Sequence, residues 1–210
     1  MDDDIPFPRS LSQRRAFVYV LPCRDENLLK IGFSRDPVQR LRSLHPRFFT
    51  FFDLDRAVLL ETEFVREARA IERRLIGLYA PYQALAPLIV PDSAGGHTEW
   101  YRGILDEATA TLADIAAADA LRLHAPLRTW LREGFRDSAS LLHSWSTWML
   151  DAIEYERFNI PVEMQSGQHE RALRNVLDCY ASLGIDLALA LPAAVLRWYE
   201  RRADDDTAAR

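Results

Sequence analysis

Four side chains in the first half of the chain have types that together suit one reaction. They are Tyr19, Lys30, Arg40 and Glu72, a phenol, an amine, a guanidinium and a carboxylate. Phosphodiester hydrolysis wants such a set. The carboxylate holds a divalent metal, the guanidinium neutralises the phosphate, and a phenolate helps to activate water. Lys30 stands out for another reason. Of 26 basic residues it is the one lysine, all others being arginine. A compact, titratable point charge is something arginine cannot supply. Glu72 belongs to the row Ala68, Glu72, Leu75, Tyr79, whose helical spacing puts it on or beside a buried face. A carboxylate there has to be paired, protonated or bound to a cation. Each residue also has a plainer reading: a core-edge tyrosine, an arginine on a solvated helix, a glutamate ion-paired with Arg40 or Arg69.

The elements that must position these groups are legible. AFVYVL (16–21) is rich in β-branched and aromatic residues and predicts a strand carrying Tyr19. LLKIGFS (28–34) predicts a second strand carrying Lys30, paired with the first as a hairpin. Ser34 and then Asp36-Pro37 signal a helix start. That helix presents Arg40, turns Val38, Leu41 and Leu44 inward, and ends before Pro46. RAVLLETE (56–63) predicts a third strand. FVREARAIERRLIGLY (64–79) predicts the helix of Glu72, with Ala68, Ile71, Leu75 and Leu78 at core spacing and Pro81 closing it.

Glu99-Trp100-Tyr101 ends this half, and from Gly103 onward the patterns are almost all helical. Strands in the first hundred residues and helices in the second predict an α+β domain over 15–102, an all-α domain over 103–210 and a loose leader over 1–14. Trp145, Trp148 and Ala152 share a stripe on the helix HSWSTWMLDAIEYERF, which predicts core, a partner surface or a base-stacking platform. The tail RRADDDTAAR reads as frayed.

At 210 residues and 49% hydrophobic the chain can bury a real core. No apolar run has the length of a membrane span, and MDDDIPFPRS lacks the apolar stretch of a secretory signal. Cys23 and Cys179 match no metal or redox spacing, so the cytoplasm is expected, with two structural thiols. The net charge of −5 argues weakly against a nucleic-acid partner, yet residues 9–47 are locally basic, enough for a phosphate-binding face.

The same residues resemble the GIY-YIG endonuclease superfamily, in the branch whose second motif reads KIG. Ala16-Phe17-Val18-Tyr19-Val20 stands for its first strand and Lys30-Ile31-Gly32-Phe33-Ser34 for its second. Arg40 follows Lys30 by ten residues, Ile71-Glu72 with Leu75 and Tyr79 looks like the metal-binding helix, and Glu99-Trp100-Tyr101 resembles the closing motif. The resemblance covers about 16–101. It implies a small three-stranded antiparallel sheet flanked by helices and cleavage of DNA, with RNA left open. It also implies one Mg²⁺ or Mn²⁺ held by Glu72. Tyr19 is then the general base or its helper, Lys30 lowers the pKa of Tyr19 or touches the phosphate, and Arg40 stabilises the transition-state charge. Gly32, Ser34, Arg35, Arg42, His45 and Glu99 are the expected substrate contacts. Departures are Ala16 for the first glycine, Lys30 for a second tyrosine, Ile76 where branch members often have a histidine, and Glu99 near the place of a terminal asparagine. The helical half is expected to target, regulate or self-associate.

Overall fold

The hairpin forms as β1 (Ala16–Pro22) and β2 (Leu28–Ser34), antiparallel, with Tyr19 opposite Gly32 and Leu21 opposite Lys30. The computed structural model describes Phe7 and residues 15–208. Of the expected leader, only Phe7 and the end at 15 fall among the described residues, and Phe7 is buried against the ring of Phe135 at 5.6 Å.

Asp36 caps α1 (Pro37–Leu44) by accepting the Gln39 N–H at 3.1 Å, and Val38, Leu41 and Leu44 are buried as their spacing requires. A single turn, α2 (Phe48–Phe51), leads to β3 (Val58–Thr62), which pairs with the free edge of β1. α3 (Val65–Leu78) buries Ala68, Ile71 and Leu75. Leu78, expected inside, is 51% exposed; the inward position at this end goes to Tyr79, whose hydroxyl pairs with Thr111 at 2.8 Å.

The expected three-stranded sheet is only the centre of a larger one. Six strands lie in the order β4-β5-β2-β1-β3-β6, every pair antiparallel. β4 (Gln83–Ala84) and β5 (Trp100–Arg102) extend it beyond β2, and β6 (Arg122–His124) extends it beyond β3. The reason is edge satisfaction: three strands leave two rows of unpaired backbone groups, and short segments from later in the chain cover both.

β6 also interrupts the almost all-helical pattern expected from Gly103 onward. α4 (Leu105–Ala118) stops at Asp119; Ala120 takes a positive φ of 50°, and Arg122–His124 pair with β3. The compact sheet unit therefore runs from 9 to 131, past the expected boundary at 102. Its main core lies on one sheet face, where Val18, Val20, Ile31 and Leu60 meet Ala68, Ile71 and Leu75 of α3 and Ala108, Leu112 and Ile115 of α4.

The second unit holds α6 (Ala139–Asn159), α7 (Gln168–Ser182), α8 (Leu187–Ala190) and α9 (Ala193–Ala208); α5 (Leu127–Asp137) spans the division at 131/132. The tail read as frayed continues α9 as far as Ala208, and residues 209 and 210 lie outside the described ones. Phe135 packs edge-on to Tyr180 at 4.9 Å. The Trp148 stripe is not core: Trp148 is 56% exposed, and Leu142, Ser146, Met149 and Leu150 face inward instead. Cys23 and Cys179 are both buried. Among the described residues no helix is long and apolar enough to cross a membrane.

Because α4 belongs to the sheet core, Leu112→Ala is expected to cost about 2–5 kcal/mol in urea unfolding monitored on the sheet unit. A cost near zero would put α4 outside that core.

Candidate active site

β5 pairs with β2 only from Leu28 to Lys30, and one further bond, from the Ile31 N–H to the Glu99 carbonyl at 3.1 Å, ends the ladder. Phe33 lies two residues on, so its N–H points to the same side, where β5 no longer runs. The Phe33 N–H acts on the Glu72 carboxylate of α3 and favours its charged form. The carboxylate thus stands by an open stretch of sheet edge, which is why a glutamate can stand beside a buried helix face.

Tyr19, Gly32 and Lys30 project from the other face of the sheet, across from the α3 core. There is no room for a side chain at 32. A Cβ would lie 2.7 Å from Cζ and 2.9 Å from Cε2 of Tyr19, and closer still to its hydroxyl. With the ring lying over bare backbone, the Tyr19 hydroxyl reaches α1 and accepts from Arg40 Nε at 3.1 Å.

Lys30 is fully buried. Its ammonium donates to Glu99 Oε2 at 3.0 Å and to the Gly96 carbonyl at 2.8 Å, and lies 5.5 Å from the Trp100 ring centre. Arg40 donates to the Ala94 carbonyl, and to that of Gly95 at 3.4 Å. The segment 94–99 therefore folds over both cations and offers them carbonyl oxygens. Gly95 and Gly96 take φ of 65° and 71°, a region that favours glycine. A Cβ on Gly96 would lie 2.7 Å from Glu99 Oε2 and 2.8 Å from Lys30 Nζ.

This packing sets the protonation states. Burial pushes the Tyr19 phenol up to about 12, against the pull of Arg40. Burial lowers the Lys30 ammonium, which Glu99 partly offsets. Burial raises Glu72, Glu99 adds to it, and the Phe33 N–H and Lys30 work against it. Tyr19, Lys30, Glu72 and Glu99 thus act electrostatically on one another.

Among the described residues no group of three or more His, Cys, Asp or Glu is placed to hold a metal ion. A closed protein cage does not fit. Mg²⁺, however, is commonly held by one or two carboxylates together with waters and substrate phosphates. Glu72, half-buried, raised in pKa and close to Glu99, fits that open kind of site.

Tyr19, Lys30, Arg40, Glu72, Gly32 and Glu99 come together. Ser34 and Arg35 line a hollow next to Arg40. Arg42 follows Arg40 by two residues and so points about 160° round α1 from it, while Gln39, Arg40 and Ser43 line that hollow. His45 caps the end of α1 and stacks on Phe51 at 4.8 Å. His97 bonds back to the Asp92 carbonyl at 3.2 Å within its own loop. What residue types did not reveal are the backbone partners, the carbonyls of 94–96 and the Phe33 N–H. Their one sequence signal is the pair Gly95-Gly96.

Residues 16–116 match the model of the T5orf172 domain. That domain is nuclease-associated. The match begins at the first residue of β1 and takes in every group just described, through α3 and β5 to the end of α4. No curated protein and no solved structure matches the chain. The T5orf172-like segment thus coincides with the part of the chain that holds these groups.

Glu72 allows a test by stability. Its native pKa is raised, so its charge costs folding free energy at pH values above that raised pKa. The cost disappears below the ordinary glutamate value of about 4.3. Glu72→Gln keeps an acceptor for the Phe33 N–H. It is expected to raise Tm at pH 7 by of the order of a few degrees, the gain vanishing near about pH 4. A lower Tm at pH 7 would mean that the carboxylate is net stabilised.

Proposed function

We propose that residues 16–116 form a metal-dependent, GIY-YIG-type endonuclease that hydrolyses phosphodiester bonds in DNA, acting in the cytoplasm. The observation that carries this reading is the meeting of Tyr19, Lys30, Arg40 and Glu72 from two strands and two helices at one open sheet edge. The match to a nuclease-associated domain over the same residues supports it.

Glu72 would hold one Mg²⁺ or Mn²⁺, which supplies charge neutralisation at the scissile phosphate and a lowered pKa for its bound water. Arg40 is hydrogen-bonded to Tyr19 and has guanidinium donors to offer to the non-bridging oxygens, where negative charge grows. Lys30 adds a point charge that Glu99 holds in place. With its pKa at about 12, Tyr19 is a phenol at neutral pH, so it acts as a helper: it positions Arg40 and can donate a hydrogen bond to the attacking water. The helical unit, 132–210, would select the target or a protein partner.

A second reading is a non-catalytic binding module on the same scaffold. The full burial of Lys30 beneath Glu99 and Gly96 favours it. Nicking of supercoiled plasmid in Mg²⁺ or Mn²⁺ separates the two. Wild type is expected to nick, and Glu72→Ala to be slower by about 10²–10³-fold or more. Tyr19→Phe is expected to lower the rate without shifting the pH profile, because Tyr19 does not titrate in the neutral range. If wild type and Glu72→Ala are equally inert with both metals, the nuclease reading fails and the binding module stands.

A further inference from the structure

Arg66, Arg69 and Arg73 recur at i, i+3 and i+7 along α3, and so share one side of the helix. All three are exposed. The Arg66 guanidinium lies over the Phe64 ring at 4.7 Å and that of Arg69 over the Phe33 ring at 5.4 Å. Between this row and the end of β2 is a hollow of about 590 Å³ with Glu72 in its wall. A second hollow of about 530 Å³ reaches from Phe33 to Arg35 and Arg40. Phe33, Val65 and Arg69 line both, so the two join along one groove. The charged groups along it are Arg35, Arg40, Arg66, Arg69 and Arg73 against Glu72 and Asp36, on a chain whose net charge is −5.

We infer that this groove binds an unpaired single strand of nucleic acid and carries it across the site between Glu72 and Arg40. The inference rests on the nuclease reading of that site and names the form of its substrate. Clustered arginines on an otherwise acidic chain are the footprint of phosphate binding. From Arg66 to Arg73 the helix advances about 10 Å, a length over which a nucleic-acid backbone passes two or more phosphates. The rings decide between one strand and two. Phe33 and Phe64 each carry a guanidinium on one face, and such platforms take the face of a base only when that base is free of its own stack. Each hollow, at about 530–590 Å³, has room for an unpaired nucleotide. No residue here distinguishes a deoxyribose from a ribose, so the shared chemistry is a single strand of either kind.

The test uses the full chain in EDTA, so that binding is read without cleavage. Fluorescence anisotropy is measured with a labelled single-stranded DNA, the same sequence as a duplex, and the same sequence as single-stranded RNA. Wild type is expected to hold at least one of the two single strands about tenfold or more tighter than the duplex, and the tighter of the two names the source. The triple variant Arg66→Ala/Arg69→Ala/Arg73→Ala, changed only on an exposed helix face, is expected to lose about tenfold or more in affinity. Its plot of log K against log salt should be shallower by about two, at about 0.7 per lost phosphate contact. Phe33→Leu is expected to weaken single-strand binding several-fold at unchanged salt slope, since it removes stacking and no charge. Duplex bound as tightly as either single strand, or a triple variant with wild-type affinity and slope, overturns the inference. The two readings fail separately. Plasmid nicking with a triple variant that binds like wild type removes the groove and leaves the nuclease. Single-strand binding by a protein inert with every metal removes the nuclease and leaves the groove.

Discussion

An ammonium buried to zero exposure needs a partner, and for Lys30 that partner comes from 69 residues away. Burying the charge alone would cost several kcal/mol or shift it to the neutral form. The pair with Glu99 and the bond to the Gly96 carbonyl avoid this only if segment 94–99 folds back on β2. Once there, the same segment delivers Trp100 into its pairing with Lys30 and places the Ala94 and Gly95 carbonyls against Arg40. Buried ion pairs contribute little net stability, and their better-attested effect is to select one arrangement among several. Here the selected feature is the point at which β5 stops.

That stopping point generates the site. Were β5 to run two residues further in register, it would cover the Phe33 N–H and close the edge that Glu72 now reaches. The charged groups gathered there hold unfavourable states, with a carboxyl pushed up and an ammonium pulled down by burial. Elsewhere the sheet unit is an ordinary apolar sandwich of one sheet face against α3 and α4. The local cost is carried by that core, a division common in proteins whose sites work against their own stability.

Much of this was legible in the residues, and the failures have a common cause. The hairpin, α1, β3 and α3 follow from local pattern: alternation, a capping aspartate before proline, apolar residues at helical spacing. The four polar residues could be picked out because each sits at a fixed phase of one such element. Leu78 misled, and the Trp148 stripe stayed open between core and surface, because periodicity names a face without saying whether anything covers it. β4, β5 and β6 were missed because two or three residues carry no period of their own; the open edges of β2 and β3 recruit β5 and β6, and β5 in turn pairs with β4. The contacts of 94–96 were missed for a different reason. They are made by backbone oxygens, which every residue has.

The contact between Tyr19 and Gly32 bears on how this chain can drift. Every single-base change away from a glycine codon that is neither silent nor a stop adds a Cβ, and at position 32 that atom meets the tyrosine ring. Position 32 therefore has no tolerated amino-acid neighbour in codon space while Tyr19 keeps its rotamer. A smaller side chain at 19 would open the space and release Arg40 from its hydroxyl partner in the same step. Related chains should thus change position 32 only where position 19 has changed as well, and there Arg40 should be found holding a different partner.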